Sequence, residues 1–72
     1  MTNYEMDADM MGMMVEDWMS DHREEMADLV LDGKPYYDAE LSAWVQECHD
    51  STTTYVLVDN NGSIDIEYVG TI

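Results

Sequence analysis

Cationic side chains are almost absent from this sequence. Arg23 and Lys34 stand against ten aspartates and seven glutamates, which gives a formal net charge of −15 at pH 7. A field of that sign repels nucleic acids and anionic membranes and attracts basic surfaces. The composition therefore argues against direct contact with nucleic acid or membrane, and it predicts a basic protein as the partner.

Cysteine and long apolar runs are equally scarce. Because Cys48 is the only cysteine, the sequence offers no intramolecular disulfide, and we expect a reducing, cytoplasmic location, inside the host cell if the gene is phage-borne. No signal peptide is recognisable, and no stretch approaches the roughly 20 apolar residues that span a bilayer. A chain of 72 residues has too little material for two cores, so residues 1–72 are predicted to form a single acidic α+β domain.

The first half of the sequence has the apolar spacing of a helix. Thr2 and Glu5 fit a capping box, and Gly33 with Pro35 supplies a stop signal. We predict a long N-terminal helix over about residues 4–31, either kinked or divided into two. Its buried face is formed by six residues at intervals of three and four: Met11, Val15, Trp18, His22, Met26 and Leu29.

A second helix is predicted to follow Pro35. Its buried face consists of Tyr37, Leu41, Trp44, Val45 and Cys48. The run from Asp50 to Thr54 is the expected exit loop. We therefore expect the order helix, helix, strand, strand.

The C-terminal segment changes to the alternating pattern of strands. "TYVLVDNNGSIDIEYV" predicts a β-hairpin with its turn at Asn61-Gly62, packed on the helices or paired across a dimer. A two-residue turn groups Tyr55, Leu57, Ile64, Ile66 and Tyr68 on one face. A three-residue turn with a glycine bulge groups Val56 and Val58 with Ile64, Ile66 and Tyr68 instead. We favour the second register because it leaves no aspartate on the apolar face.

Carboxylates dominate the predicted long helix. Asp17, Asp21, Glu24, Asp28 and Asp32 recur at intervals of three and four, so they are expected on one helical face, with Glu25 beside them. Their mutual repulsion costs about 1–3 kcal/mol at low salt. The interval from Asp17 to Asp32 spans about 22 Å of helix, the length of six or seven phosphates of one DNA strand. This face, extended by Glu16, is the predicted partner-binding surface.

The methionines offer an alternative contact surface. All eight lie within the first 26 residues, and methionine suits adaptable binding surfaces. Met10 and Met14 fall outside the main apolar stripe of the helix. We expect them either to be buried or to contact a partner protein or a second copy of the chain.

Two short segments resemble metal sites but lack the required pattern. Cys48-His49-Asp50 places its potential ligands on diverging helical directions. "DNNGSID" has the wrong residues at the ends of a calcium loop, so a hairpin turn explains it better. The sequence also has no recognisable nucleophile elbow or phosphate loop. We expect a non-enzymatic protein, with no metal site and no cofactor.

The chain resembles the small acidic phage and plasmid proteins that imitate DNA. "KPYYDAELSAWV", residues 34–45, is similar to a segment of the phage overcome-classical-restriction proteins. The resemblance implies an inhibitor that blocks a basic nucleic-acid-binding protein, such as a CRISPR effector, a restriction enzyme or a DNA-repair enzyme. Anti-CRISPR or anti-restriction activity is the specific expectation. The alternatives are an adaptor that binds through its methionine-rich helix, and a salt-adapted domain without mimicry.

Overall fold

The computed structural model describes residues 6–71 as one helix followed by a four-stranded antiparallel sheet. The elements are α1 (Ala8–Asp21), β1 (Val30–Asp38), β2 (Ala43–His49), β3 (Thr53–Asn60) and β4 (Ser63–Thr71). The strands lie in the order β1-β2-β3-β4, so each pairs with its neighbour in the chain. The architecture is α+β, but the predicted arrangement of two helices and a hairpin is wrong.

The N-terminal helix is half as long as predicted. Asp7 caps its start by accepting a hydrogen bond from the Met10 amide at 2.8 Å, and His22 caps its end. The imidazole of His22 donates from Nδ1 to the Trp18 carbonyl at 2.8 Å, which occupies an acceptor of the last turn. Continuing the helix would stack more carboxylates at its C-terminus, where the helix dipole disfavours them. The predicted capping box at residues 2–5 lies outside the described residues.

The predicted second helix is replaced by strand, turn and strand. Residues 39–42 form a turn in which an Asp38 carboxylate oxygen accepts the amides of Glu40 and Leu41 at 2.9 and 3.2 Å. Gly33 and Pro35, which we interpreted as a helix stop, lie in an irregularity of β1 between Asp32 and Tyr36. Strand pairing on both sides of β2 overrides the helical spacing of its apolar residues.

The C-terminal hairpin is confirmed, but the favoured register is wrong. Asn60 pairs with Ser63 across a two-residue turn, and Asn61 and Gly62 have φ values of 52° and 95°. Both positive values are those of a type I′ turn. Asp59 is 8% exposed on the apolar face, where its carboxylate accepts the Gly62 amide at 2.9 Å. This hydrogen bond from the turn stabilises Asp59 on the apolar face, where the favoured register would have placed no aspartate.

The core lies between α1 and one face of the sheet. Met11 and Val15 of α1 pack with Leu29, Cys48 and Leu57. The predicted packing of the hairpin on two helices is wrong: the hairpin belongs to the four-stranded sheet, and β4 contacts α1. We call this sheet surface the helix face and the opposite surface the open face. Within residues 6–71 no helix or strand covers the open face.

Candidate functional site

The predicted acidic line does not exist as one helical face. Among its members only Asp17 and Asp21 lie on α1, together with Glu16. Three more, Glu24, Glu25 and Asp28, are exposed in the irregular segment that connects α1 to β1. Asp32 lies on β1. Because α1 ends at Asp21, the carboxylates from Asp17 to Asp32 do not form a helical line with the length of six or seven phosphates. The role of these carboxylates in partner binding stays a prediction.

The predicted methionine contacts lie on α1 and differ in exposure. Met10 is 42% exposed, whereas Met14 is partly buried beside Trp18 and Ile64. Met13 is the most exposed of the described methionines, at 65%. An accessible thioether surface on α1 therefore consists mainly of Met10 and Met13.

The open face carries carboxylates that would not lie on a common face if β2 were a helix. The register pairs Asp32 with Glu47 on β2, and Glu47 is in turn opposite Val56 on β3. Val56 is opposite Glu67 on β4, so one row of side chains crosses the whole sheet. In the next row, Asp65 is opposite Val58. We call Asp32, Glu47, Asp65 and Glu67 the open-face carboxylates.

Buried valines form an apolar floor between these carboxylates. Tyr36 pairs with Val45, and Val45 pairs with Val58, which pairs with Asp65. Val45 is fully buried, although it lies on the face away from α1. The Tyr36 hydroxyl donates to Glu47 Oε2 at 2.7 Å, and this hydrogen bond fixes the direction of both side chains. The bond to the Glu47 carboxylate is the main reason why the pKa of Tyr36 is raised above 10.0.

The negative charge is barely neutralised within the described part of the chain. The ion pair found there joins His49 Nδ1 and Asp32 Oδ2 at 2.7 Å, and it depends on protonation of the histidine. Arg23 instead contacts the carbonyl and hydroxyl of Ser20 at 3.5 and 3.3 Å. Glu47, Asp65 and Glu67 are exposed, and no ion pair involves them within residues 6–71.

A groove lies beside this surface, at the end of the sheet that carries the β1–β2 turn and the β3–β4 turn. It has a volume of about 560 Å³ and combines apolar, aromatic and acidic groups. Tyr37 and Trp44 meet edge to face in it, with ring centroids 6.2 Å apart. Asp65 and Glu67 line the same groove. Such a site suits a cationic side chain, since a cation is attracted both to carboxylates and to aromatic faces.

The residues considered for metal binding diverge. Cys48 is fully buried on the helix face, and burial is the main cause that raises its pKa to about 11. His49 points to the open face. Asp50 accepts the amides of Thr52 and Thr53 at 2.9 and 2.8 Å, and the bond from Thr52 is the main cause that lowers its pKa. No group of three metal-ligating side chains occurs within residues 6–71.

Sequence reasoning missed the open face because it assigned β2 to a helix. The available signal was alternation: Asp65 and Glu67 are two residues apart on β4, and Glu47 lies between inward-facing residues of β2.

Over residues 6–71, the helix α1 lacks the length and apolarity needed to cross a membrane. Comparison of the chain with protein-family models, curated proteins and solved structures finds no match, so similarity assigns neither family nor function.

Proposed function

We propose that this protein is a non-enzymatic inhibitor that occupies the basic nucleic-acid-binding surface of another protein. Its carboxylates take the place of phosphates, and counter-defence against a CRISPR effector or a restriction enzyme is the biological role we propose. The observation that carries the proposal is the open face, where Asp32, Glu47 and Glu67 share one row across the sheet.

The spacing of these groups favours joint action. Neighbouring strands lie about 4.8 Å apart, and two residues along a strand span about 6.8 Å. Both lengths are shorter than the Debye length of about 8–10 Å at physiological salt. A cation that approaches Glu67 therefore also experiences the field of Asp65. Glu47 lies two strand spacings away, about 9.6 Å, so its field is felt more weakly.

An acidic sheet face replaces the acidic rod that the sequence suggested. The rod required one helix from Asp17 to Asp32, and α1 ends at Asp21. Pairing of the strands holds the open-face carboxylates in a fixed register, so their arrangement is set before the partner arrives. Preorganised charge reduces the ordering cost of binding.

Charge reversal on two surfaces tests which one binds the target. The double variant Asp65→Lys/Glu67→Lys changes the open face by four charge units. The double variant Asp17→Lys/Asp21→Lys makes the same change on α1. Each protein is titrated into complexes of labelled duplex DNA with a CRISPR effector, a restriction enzyme or a repair enzyme, and the released DNA is measured by fluorescence anisotropy.

We expect the open-face variant to lose inhibition by at least about tenfold, because close charge pairs at protein interfaces contribute a few kcal/mol. The α1 variant should retain most of it. Inhibition should also fall steeply between about 50 and 200 mM salt, as DNA binding itself does. Equal losses in the two variants would contradict the open-face assignment, and failure to release DNA from any of these proteins at low salt would contradict mimicry.

Exposed methionines support one other function. Met13 and Met10 are 65% and 42% exposed on α1, which suits an adaptor that inserts this helix into an apolar groove. Such binding would change little with salt and would be weakened by Met13→Ser. The same salt titration therefore separates the two functions.

A further inference from the structure

The two edges of the sheet differ in their ability to accept another strand. β1 is interrupted between Asp32 and Tyr36, where Gly33 has a φ of 71°. Pro35 lacks a backbone N–H, and Lys34 adds a charge beside it. Bulges, proline and lysine are the devices by which proteins prevent pairing at a sheet edge. The β1 edge is therefore a poor template for an incoming strand.

The β4 edge is regular as far as Tyr68. Its one irregularity lies near the end, where Tyr55 and Thr54 pair with Tyr68 and Gly70 and leave Val69 as an extra residue. The strand is nine residues long, and its sequence, "SIDIEYVGT", contains no proline, lysine or arginine. Tyr68 and Val69 are 67% and 60% exposed near its end. The start of the strand is less accessible, because Ile64 lies beside Met14 and Trp18 of α1. The open and regular part of the edge therefore runs from about Ile66 to Tyr68.

The hairpin register shows which backbone groups of β4 face outward. In a two-residue hairpin the residues that flank the turn form a hydrogen-bonded pair, and the pairs then alternate. Asn60–Ser63, Val58–Asp65 and Val56–Glu67 are thus the hydrogen-bonded pairs. Ile66 and Tyr68 belong to the other set, so their N–H and C=O groups point away from β3, toward the open edge.

Side-chain alternation along β4 defines what an added strand must carry. Asp65 and Glu67 lie on the open face, whereas Ile66 and Tyr68 lie on the helix face opposite Leu57 and Tyr55. A new strand would therefore need cationic side chains on one face and apolar side chains on the other. We propose that β4 docks an extended segment of a partner protein in which basic and apolar residues alternate.

The inference that the partner is basic rests on the proposed function. The β4 edge adds the strand to which a segment of that partner would bind. A second copy of the chain is a poor occupant of the same edge. Antiparallel pairing of β4 with itself would bring Asp65 and Glu67 of both copies onto one face, and like charges across strands are destabilising. A net charge of −15 on each copy adds to that repulsion.

The test uses the full chain, labelled with ¹⁵N, and a peptide of alternating lysine and valine. A matched peptide has the same sequence and charge but carries N-methyl groups on the backbone amides of one edge. Hydrogen exchange at the Ile66 and Tyr68 amides is measured by NMR with each peptide. Strand addition protects these two amides, whereas general attraction between opposite charges does not.

We expect the unmethylated peptide to slow exchange at both amides and to bind about tenfold more tightly than the N-methylated peptide. Tyr68→Pro removes one outward N–H and should abolish the difference between the peptides. Tyr68→Thr, which keeps the N–H and a strand-forming side chain, should preserve it. Circular dichroism establishes that both variants are folded.

Other results would overturn the inference in distinguishable ways. Salt-dependent binding of both peptides with equal affinity, without amide protection, refutes docking at β4 and leaves the proposed charge mimicry intact. Absence of binding by either cationic peptide at low salt contradicts both proposals. Protection of Ile66 and Tyr68 that rises with protein concentration in the absence of peptide identifies a second copy as the occupant and refutes a basic partner segment.

Discussion

Tyr36 and Glu47 lie on neighbouring strands, and the tyrosine hydroxyl donates to the glutamate carboxylate at 2.7 Å. Eleven positions separate them in the sequence, and Tyr36 follows the irregularity of β1. The bond places an aromatic ring on the open face and holds one of its carboxylates in position. It also shows how the sheet assembles a surface from residues that the sequence does not group.

This hydrogen bond predicts the ionisation behaviour of Tyr36. The pKa of Tyr36 is raised above 10.0, first by the bond to Glu47, so its neutral form is favoured in the folded state. The resulting contribution to stability is fully present below about pH 10 and is lost as the pH rises through the higher, folded-state pKa. Glu47→Gln should lower the pKa of one tyrosine in an ultraviolet titration. An unchanged titration curve would show that the bond is not formed in solution.

Cys48 is predicted to be unreactive in the folded protein. Its side chain is fully buried, and its pKa is raised from 9.0 to about 11. The thiolate fraction near pH 8 is then about a hundredfold lower than that of a thiol with the ordinary value, and access to reagent is blocked as well. Labelling with iodoacetamide should be slow until urea unfolds the chain. Rapid labelling without denaturant would contradict the burial of this strand.

Gln46 is predicted to stabilise the irregularity of β1. It is 2% exposed, and its amide nitrogen lies 3.2 Å from the carbonyls of both Asp32 and Gly33. Gln46→Leu removes these donors and should cost about 1–3 kcal/mol of unfolding free energy in urea titrations. Exposed Glu40→Leu, in the turn between β1 and β2, is the control and should change stability by less than about 0.5 kcal/mol. Equal effects would show that the amide is not needed.

Substitution of two glycines by alanine should change the stability of the protein in opposite directions. Gly62 has a φ of 95° in the hairpin turn, where a side chain is strained, so Gly62→Ala should destabilise the protein by about 1 kcal/mol. Gly12 lies within α1, and a Cβ there meets nothing within 4 Å. Gly12→Ala should therefore stabilise the protein by about 0.5–1 kcal/mol. Thermal unfolding of both variants checks the pair, and a stabilising Gly62→Ala would exclude the two-residue turn.

Part of the fold could be predicted from the sequence because some signals are local. Asn61-Gly62 between alternating apolar residues specifies a hairpin, since these residue types readily adopt positive φ. Met11 and Val15, four positions apart, correctly predicted the buried side of α1. The presence of a C-terminal hairpin, and of a helix somewhere within the predicted range 4–31, followed from these patterns, but the helix covers only Ala8–Asp21.

The errors arose where the decisive contacts are distant in sequence. Trp44 and Cys48 are four residues apart, which fits one helical face, but they are also an even number apart and fit one strand face. Leu31 pairs with Cys48 and Val45 pairs with Val58, contacts that no local pattern reveals. Gly33 and Pro35 were interpreted as the end of a helix, although they form an irregularity within a strand.

Composition alone determined that this chain is strongly anionic, because two cations cannot offset seventeen carboxylates in any fold. The local sequence also determined that the chain reverses at Asn61-Gly62, although it did not determine the register of the hairpin. Only the tertiary structure decided where the charges stand, because the pairing of β1, β2 and β4 with their neighbours fixes which face each carboxylate occupies. That pairing brings Asp32, Glu47 and Glu67 into one row, and a local sequence pattern cannot encode contacts between strands that are far apart in the chain.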